Sequence, residues 1–251
     1  MALNRRDFLH NAAKAALLPA VTARLPLLGQ TVPAAVKPDI ALRIEPTSLD
    51  IGPGVSIRTV AYNGQVPGPT LRLKEGVPVT VDVTNATPNE DIVHWHGLAI
   101  GTMPDGAVEE GSPIIKPGKT LRYSFTPKPA GTRWYHTHAM AMDNLALAGY
   151  TGQFGFVLVE SKGPKPRYDH EVNLAIHHWG PSFVPMVETM RAQSANMPQT
   201  TGSDVGYKYA TFNAHMLGAG EPIRVKKGDR VLMRLLNASA TENVLFALPG
   251  Y

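Results

Sequence analysis

The chain has 251 residues, 43% hydrophobic and 18% charged, enough for one large domain or two ordinary ones around buried cores. Its formal net charge of +4 includes two positive charges from residues 1–23, and no Lys/Arg-rich run with interleaved aromatics appears, which excludes a nucleic-acid footprint. Cysteine is absent, which excludes disulfides, thiolate nucleophiles and thiolate metal ligands within this chain.

At the N-terminus, Asn4-Arg5-Arg6-Asp7-Phe8-Leu9 leads into a modestly apolar, Ala-rich stretch. Paired arginines ahead of Phe-Leu resemble a twin-arginine export signal. The other reading is an amphipathic helix of the mature protein; in either case the apolar run is too short to span a bilayer. Residues 1–35 are expected to be signal and linker, with cleavage after Ala23 or Ala34, and the protein to be periplasmic or secreted without a membrane span.

From about Ala41 the apolar period is two. Val77, Val79, Val81 and Val83 alternate with Thr80, Asp82 and Thr84; Leu121, Tyr123 and Phe125 alternate, as do Phe154, Phe156 and Leu158. Turn signals at Asn63-Gly64, Pro67-Gly68-Pro69 and Pro117-Gly118 separate these runs. The pattern predicts an all-β fold of sandwich or barrel type, with a first domain over 40–162 and a boundary in the polar, Pro-containing stretch 160–171. A second domain is expected over 168–251, with a short helix conceivable at 185–195.

Internal similarity sharpens this division. Residues 71–87 align without a gap on residues 223–239 at a constant offset of 152: Leu71 meets Ile223, Gly76 meets Gly228, Val79 meets Val231, and Asn85-Ala86 meet Asn237-Ala238. Two copies of one β unit are expected, the second incomplete: the first runs on for about sixty residues past the point matching Tyr251. The same offset takes His94 and His96 to Phe246 and Leu248. Residues required by the scaffold should recur in both copies, and these histidines do not.

Four of the nine histidines form two His-x-His pairs, His94/His96 and His136/His138, each beside a bulky aromatic (Trp95; Trp134-Tyr135). On a strand, residues i and i+2 share one face, so each pair can address one metal ion or two neighbouring ions. Neutral imidazole suits copper, zinc, iron or nickel rather than magnesium or calcium. A zinc hydrolase would add an open position and a general base, commonly with a carboxylate ligand, for which Asp91, Asp105 and Asp143 are available. An all-histidine set without thiolate points more naturally to copper. Met140 and Met142 are soft donors in principle but are expected to fill gaps in the core, and His177, His178 and His215 match no ligand motif.

In order, residues 63–76, His94-Trp95-His96-Gly97, Pro104-Asp105-Gly106, residues 117–125 and 130–138 resemble the first domain of the laccase-like multicopper oxidases, and residues 149–160 and 221–251 resemble its end and the domain that follows. The resemblance implies tandem cupredoxin-like Greek-key domains. It also implies single-electron oxidation of phenols, aromatic amines or metal ions at a type 1 copper, coupled to O2 reduction at a trinuclear cluster. By motif, His94 corresponds to a type 2 copper ligand and His96, His136 and His138 to type 3 ligands. Asp105 stands where the family has a carboxylate assisting proton delivery; as a sequence feature Asp105-Gly106 also reads simply as a turn. The family draws its remaining ligands, including the type 1 cysteine, from a C-terminal domain, and those motifs are not in this chain. The chain is therefore expected to be an N-terminal part holding half of the cluster ligands and inactive alone, its partners being O2, a small reducing substrate and a further domain or partner chain. A copper nitrite reductase-like protein, a non-catalytic copper-binding module and a zinc hydrolase are the alternatives; the first would need a His-Cys-Met site in its first domain.

Overall fold

Alternating apolar residues set the strands, and residues that tolerate positive φ set where they end. The computed structural model describes residues 36–164, 167–185 and 203–248. The expected signal and linker, and residues 186–195 of the expected helix, lie outside them.

The first copy consists of β1 (Ile40–Gly52), β2 (Val55–Tyr62), β3 (Gly68–Lys74), β4 (Val79–Asn85), β5 (Val93–His96), β6 (Thr120–Phe125), β7 (Gly131–Thr137) and β8 (Phe154–Glu160), with a four-residue helix α1 (Thr102–Asp105) after β5. One sheet has the order β2-β1-β4-β6 and the other β3-β8-β7-β5. Their inner faces enclose Ile44, Val81, Val83, Trp95, Tyr123, Tyr135 and Val157, each 1% exposed or less. This is a β-sandwich with apolar residues every second position along each strand. Val79, Val81 and Val83 are buried as the alternation requires. Val77 is not: it sits in the turn before β4, where its N–H donates to the Lys74 carbonyl, and it is 49% exposed.

β8 departs from simple alternation because both of its faces are covered. Val157 and Val159 point into the sandwich, while Phe154, Phe156 and Leu158 join a second apolar cluster with Ala175, Trp179, Ala214 and Leu236. These partners belong to the second copy: β9 (His170–Trp179), β10 (Ser182–Pro185), β11 (Ser203–Gly206), β12 (Tyr209–Phe212), β13 (His215–Met216) and β14 (Val231–Asn237). Glu171 adds a polar tie, accepting from Arg72 at 3.0 Å and from Arg234 at 3.1 Å, while Arg234 also donates to Thr132 Oγ1 at 2.8 Å.

The repeat is visible in the backbone. β1 pairs antiparallel with β2 and parallel with β4, setting Ile44 against Asn85; β9 pairs antiparallel with β12 and parallel with β14, setting Ile176 against Asn237. Asn63 (φ 53°) and Asn213 (φ 48°) make matching clamps. Asn63 Oδ1 accepts from Arg43 N at 2.6 Å and Asn213 Oδ1 from Ala175 N at 2.8 Å, while the side-chain amides donate to Ala41 and Asn173 carbonyls. Asn tolerates the left-handed backbone of such a turn, so it recurs. Among the described residues, the second copy shows the sheet β13-β12-β9-β14 and the pair β10-β11, with no strand matching β3 over 223–227.

Candidate metal centre

β5 and β7 run antiparallel in the second sheet, with His94 directly opposite His136 and His96 opposite Trp134. Strand alternation sends Trp95 and Tyr135 into the core, both fully buried, and turns the histidines to the other face. His138 follows the end of β7, its N–H donating to the Ile92 carbonyl at 2.9 Å. The structure thus brings all four predicted histidines together. Ring centroids lie 5.4 Å apart for His94–His96, 5.3 Å for His94–His136 and 5.3 Å for His94–His138. His94, His96 and His136 each place a ring nitrogen within 4.8 Å of the other two. No carboxylate stands in this group among the described residues.

Hydrogen bonds select which nitrogens are free. A carbonyl oxygen only accepts, so His94 Nδ1 donates to the Asp105 carbonyl at 2.7 Å and His136 Nδ1 donates to the Thr137 carbonyl at 2.8 Å. Both rings therefore turn an unprotonated Nε2 outward while neutral, which is how second hydrogen bonds commonly orient metal-ligating histidines. His136 Nε2 approaches His96 Nδ1 to 3.4 Å. Burial, with the neighbouring imidazoles adding to it, depresses the His136 pKa to about 4 and also lowers that of His96. Neutral, close-set imidazoles are the state a metal ion requires. Trp134 stacks on His136 at 4.1 Å and lies 4.9 Å from His96, limiting the freedom of both rings.

Asp105 is held against this cluster by the chain around it. Gly106, at φ 88°, ends α1, and a Cβ there would collide with the Val93 carbonyl and meet His94 Cα at 2.7 Å. Only glycine permits that approach. It brings the Asp105 carbonyl onto His94 Nδ1 and leaves the Asp105 carboxylate 3.4 Å from the same nitrogen. The Asp-Gly turn and the histidine contact are therefore one feature.

Other sequence readings resolve differently. Met140 and Met142 are 74% and 80% exposed, so they fill no core gap: the loop after His138 carries them outward. Asp91 is buried with both carboxylate oxygens engaged, by Thr137, Gln153 and the Ile92 N–H, so it is not an open metal ligand. Burial raises its pKa against the lowering effect of those donors. Asp143 is exposed. His177 is buried, donating from Nδ1 to the Ala238 carbonyl at 2.8 Å, and His215 is exposed. The sequence reading missed the partners of Asp91; its one legible signal was a carboxylate three residues before His94, just ahead of an apolar strand. A cavity of about 350 Å³ reaches His136 and is lined also by Thr137, Thr151, Gln153 and Ser239.

Residues 44–164 match the multicopper oxidase family model. The chain is 28% identical to the multicopper oxidase MmcO of Mycobacterium tuberculosis over 96% of its own length and 49% of that protein. It is 36% identical to the L-ascorbate oxidase of Brassica rapa over 76% of this chain and 37% of the relative. The blue copper oxidase of Nitrosomonas europaea has a similar fold, with a TM-score of 0.64 and 33% identity, covering 80% of this chain and 60% of that one. The chain spans about half the length, or less, of the curated relatives it matches.

Proposed function

The chain belongs to the multicopper oxidase family, and from that premise we propose that it is the N-terminal part of an exported, copper-dependent oxidoreductase that couples one-electron oxidation of phenolic, amine or metal-ion donors to reduction of O2 to water. The observation carrying this reading is the convergence of ring nitrogens of His94, His96 and His136, with no carboxylate in that group among the described residues. That donor set fits copper: imidazole nitrogen is a good ligand for it, and the Nδ1 hydrogen bonds of His94 and His136 leave Nε2 to bind. His94 is assigned as the type 2 ligand and His96, His136 and His138 as type 3 ligands, half of a trinuclear set.

Bound copper would supply the stepwise electron transfer that O2 reduction demands. The chain's own residues fix the ligand geometry, disfavour protonation of His96 and His136 by burial, and place a carboxylate at the cluster's edge. Asp105, 3.4 Å from His94 Nδ1, is assigned to proton delivery toward reduced oxygen. The remaining histidines and the thiolate of a type 1 site come from a further domain or partner chain, since this sequence has no cysteine. The paired arginines at Arg5 and Arg6 assign export to the twin-arginine route, to the periplasm or beyond. Among the described residues no helix is long and apolar enough to cross a membrane.

The test is to load the purified chain with copper and measure oxygen uptake with a good electron donor. Copper binding without sustained uptake is expected, because half of a ligand set cannot complete four-electron reduction. Sustained uptake yielding water, with no second polypeptide present, would overturn the assignment.

A further inference from the structure

Behind the histidines lies a buried polar chain that is not part of the ligand motif. Asp91 is 7% exposed, Thr137 4%, Gln153 4% and Thr151 3%. Thr137 Oγ1 donates to Asp91 Oδ1 at 2.8 Å, the Ile92 N–H donates to the same oxygen at 2.8 Å, and Gln153 Nε2 donates to Asp91 Oδ2 at 2.6 Å. Gln153 Oε1 lies 3.0 Å from Thr151 Oγ1. Backbone bonds run beside these links: Asp91 exchanges both of its backbone bonds with Ile115, Thr137 N donates to the Gln153 carbonyl, and His138 N donates to the Ile92 carbonyl.

We propose that Asp91 is a positioning residue for the imidazole cluster, clamping Thr137 and with it the flanking His136 and His138. The inference rests on the metal-centre reading above. Thr137 is the one residue between the two histidines, and its side chain points inward while theirs point outward. Fixing its χ1 through a carboxylate therefore fixes the strand end that aims both rings. A buried carboxylate is costly unless fully hydrogen-bonded, and for tying two strands together an apolar pair would serve as well. What an apolar pair does not supply is direction. The carboxylate accepts three hydrogen bonds with defined geometry and holds β7, the start of β5 and the start of β8 in one arrangement. Groups that orient metal ligands in this way commonly alter affinity tenfold to a hundredfold when changed.

Asp91→Asn keeps the shape but sets an amide donor against the Gln153 or Thr137 donor. Thr137→Val removes the clamp's central hydroxyl without touching a ligand. Copper(II) is titrated into the wild-type chain, both variants and Asp82→Asn, a control at a half-buried carboxylate paired with Arg122, with circular dichroism to verify folding and electron paramagnetic resonance to read the copper environment. Folded Asp91→Asn or Thr137→Val should bind copper about tenfold or more weakly with altered copper hyperfine splitting, and Asp82→Asn should match wild type. Asp91→Asn combined with Gln153→Glu exchanges carboxylate and amide, and should restore both affinity and spectrum. If Asp91→Asn does not fold, Thr137→Val decides alone. A folded clamp variant with wild-type affinity and spectrum overturns the proposal while leaving the metal centre intact. A wild-type chain that binds no copper overturns the metal-centre reading itself.

Discussion

Two strand groups of this chain repeat one pairing pattern, and they differ in what surrounds it: the first carries a complete second sheet and the imidazoles, and among the described residues the second has no strand matching β3 over 223–227. β1, β2 and β4 of the first copy have the same pairing directions as β9, β12 and β14 of the second, and the same asparagine clamps hold both. Ala86 N donates to the Ile44 carbonyl at 2.8 Å, and Ala238 N donates to the Ile176 carbonyl at 2.9 Å. Where the first copy carries His94 and His96, the second carries Phe246 and Leu248. An internal control of this kind separates what the scaffold needs from what has been added to it. The asparagines belong to the scaffold; the His-x-His pairs are the addition.

The strongest way to break this comparison is to remove the addition. His94→Ala combined with His136→Ala should lower copper affinity at least a hundredfold, as measured by titration, because it deletes two of the three ring nitrogens that converge. The chain should still fold, since both rings lie outside the apolar core between the two sheets. Phe246→Ala, at the matching place in the second copy, should leave copper binding unchanged. Equal losses from both variants would mean that the histidines are structural after all.

Histidine also occurs in the second copy, in a different role. His177 is 2% exposed, packs between Phe154 and Trp179, and has its pKa depressed by burial to about 4. Between that value and the ordinary 6.5 the unfolded chain binds a proton that the folded chain refuses. Stability is therefore full above pH 6.5 and falls as pH drops through this window, by roughly 3 kcal/mol once below it. Denaturant titrations at stepped pH should show the decline, and His177→Gln, which keeps a donor for the Ala238 carbonyl, should flatten part of it. An unchanged pH profile in that variant would count against a buried neutral imidazole there.

The smallest effect tests the shared scaffold. Asn63→Ala and Asn213→Ala each remove matched side-chain hydrogen bonds at a positive φ, and each should cost about 1–3 kcal/mol in chemical denaturation without altering copper affinity. A large cost for one and none for the other would show that the two turns are not equivalent.

Much of this was legible in the residues. Period-two alternation located the strands of the first sheets because each buries one face, and it faltered where geometry changed, as at Val77 in a turn and along β8, covered on both sides. The His-x-His pairs were readable because strand spacing puts i and i+2 on one face. The Asp91–Thr137–Gln153 chain was not, since its members lie 46 and 62 residues from Asp91 in sequence and meet only after the sheet forms. Met140 and Met142 were misjudged for a related reason: their apolar composition says nothing about a loop that projects outward after His138.

The central claim is that the first copy alone builds an imidazole copper site, without thiolate. Pulsed electron paramagnetic resonance of the copper(II)-loaded chain, recorded beside its visible spectrum, tests it most directly. The account predicts coupling to several imidazole nitrogens, lost in the His94→Ala/His136→Ala variant, and no intense blue charge-transfer band. A copper signal with oxygen ligands alone, or nitrogen coupling that survives the double substitution, would contradict it.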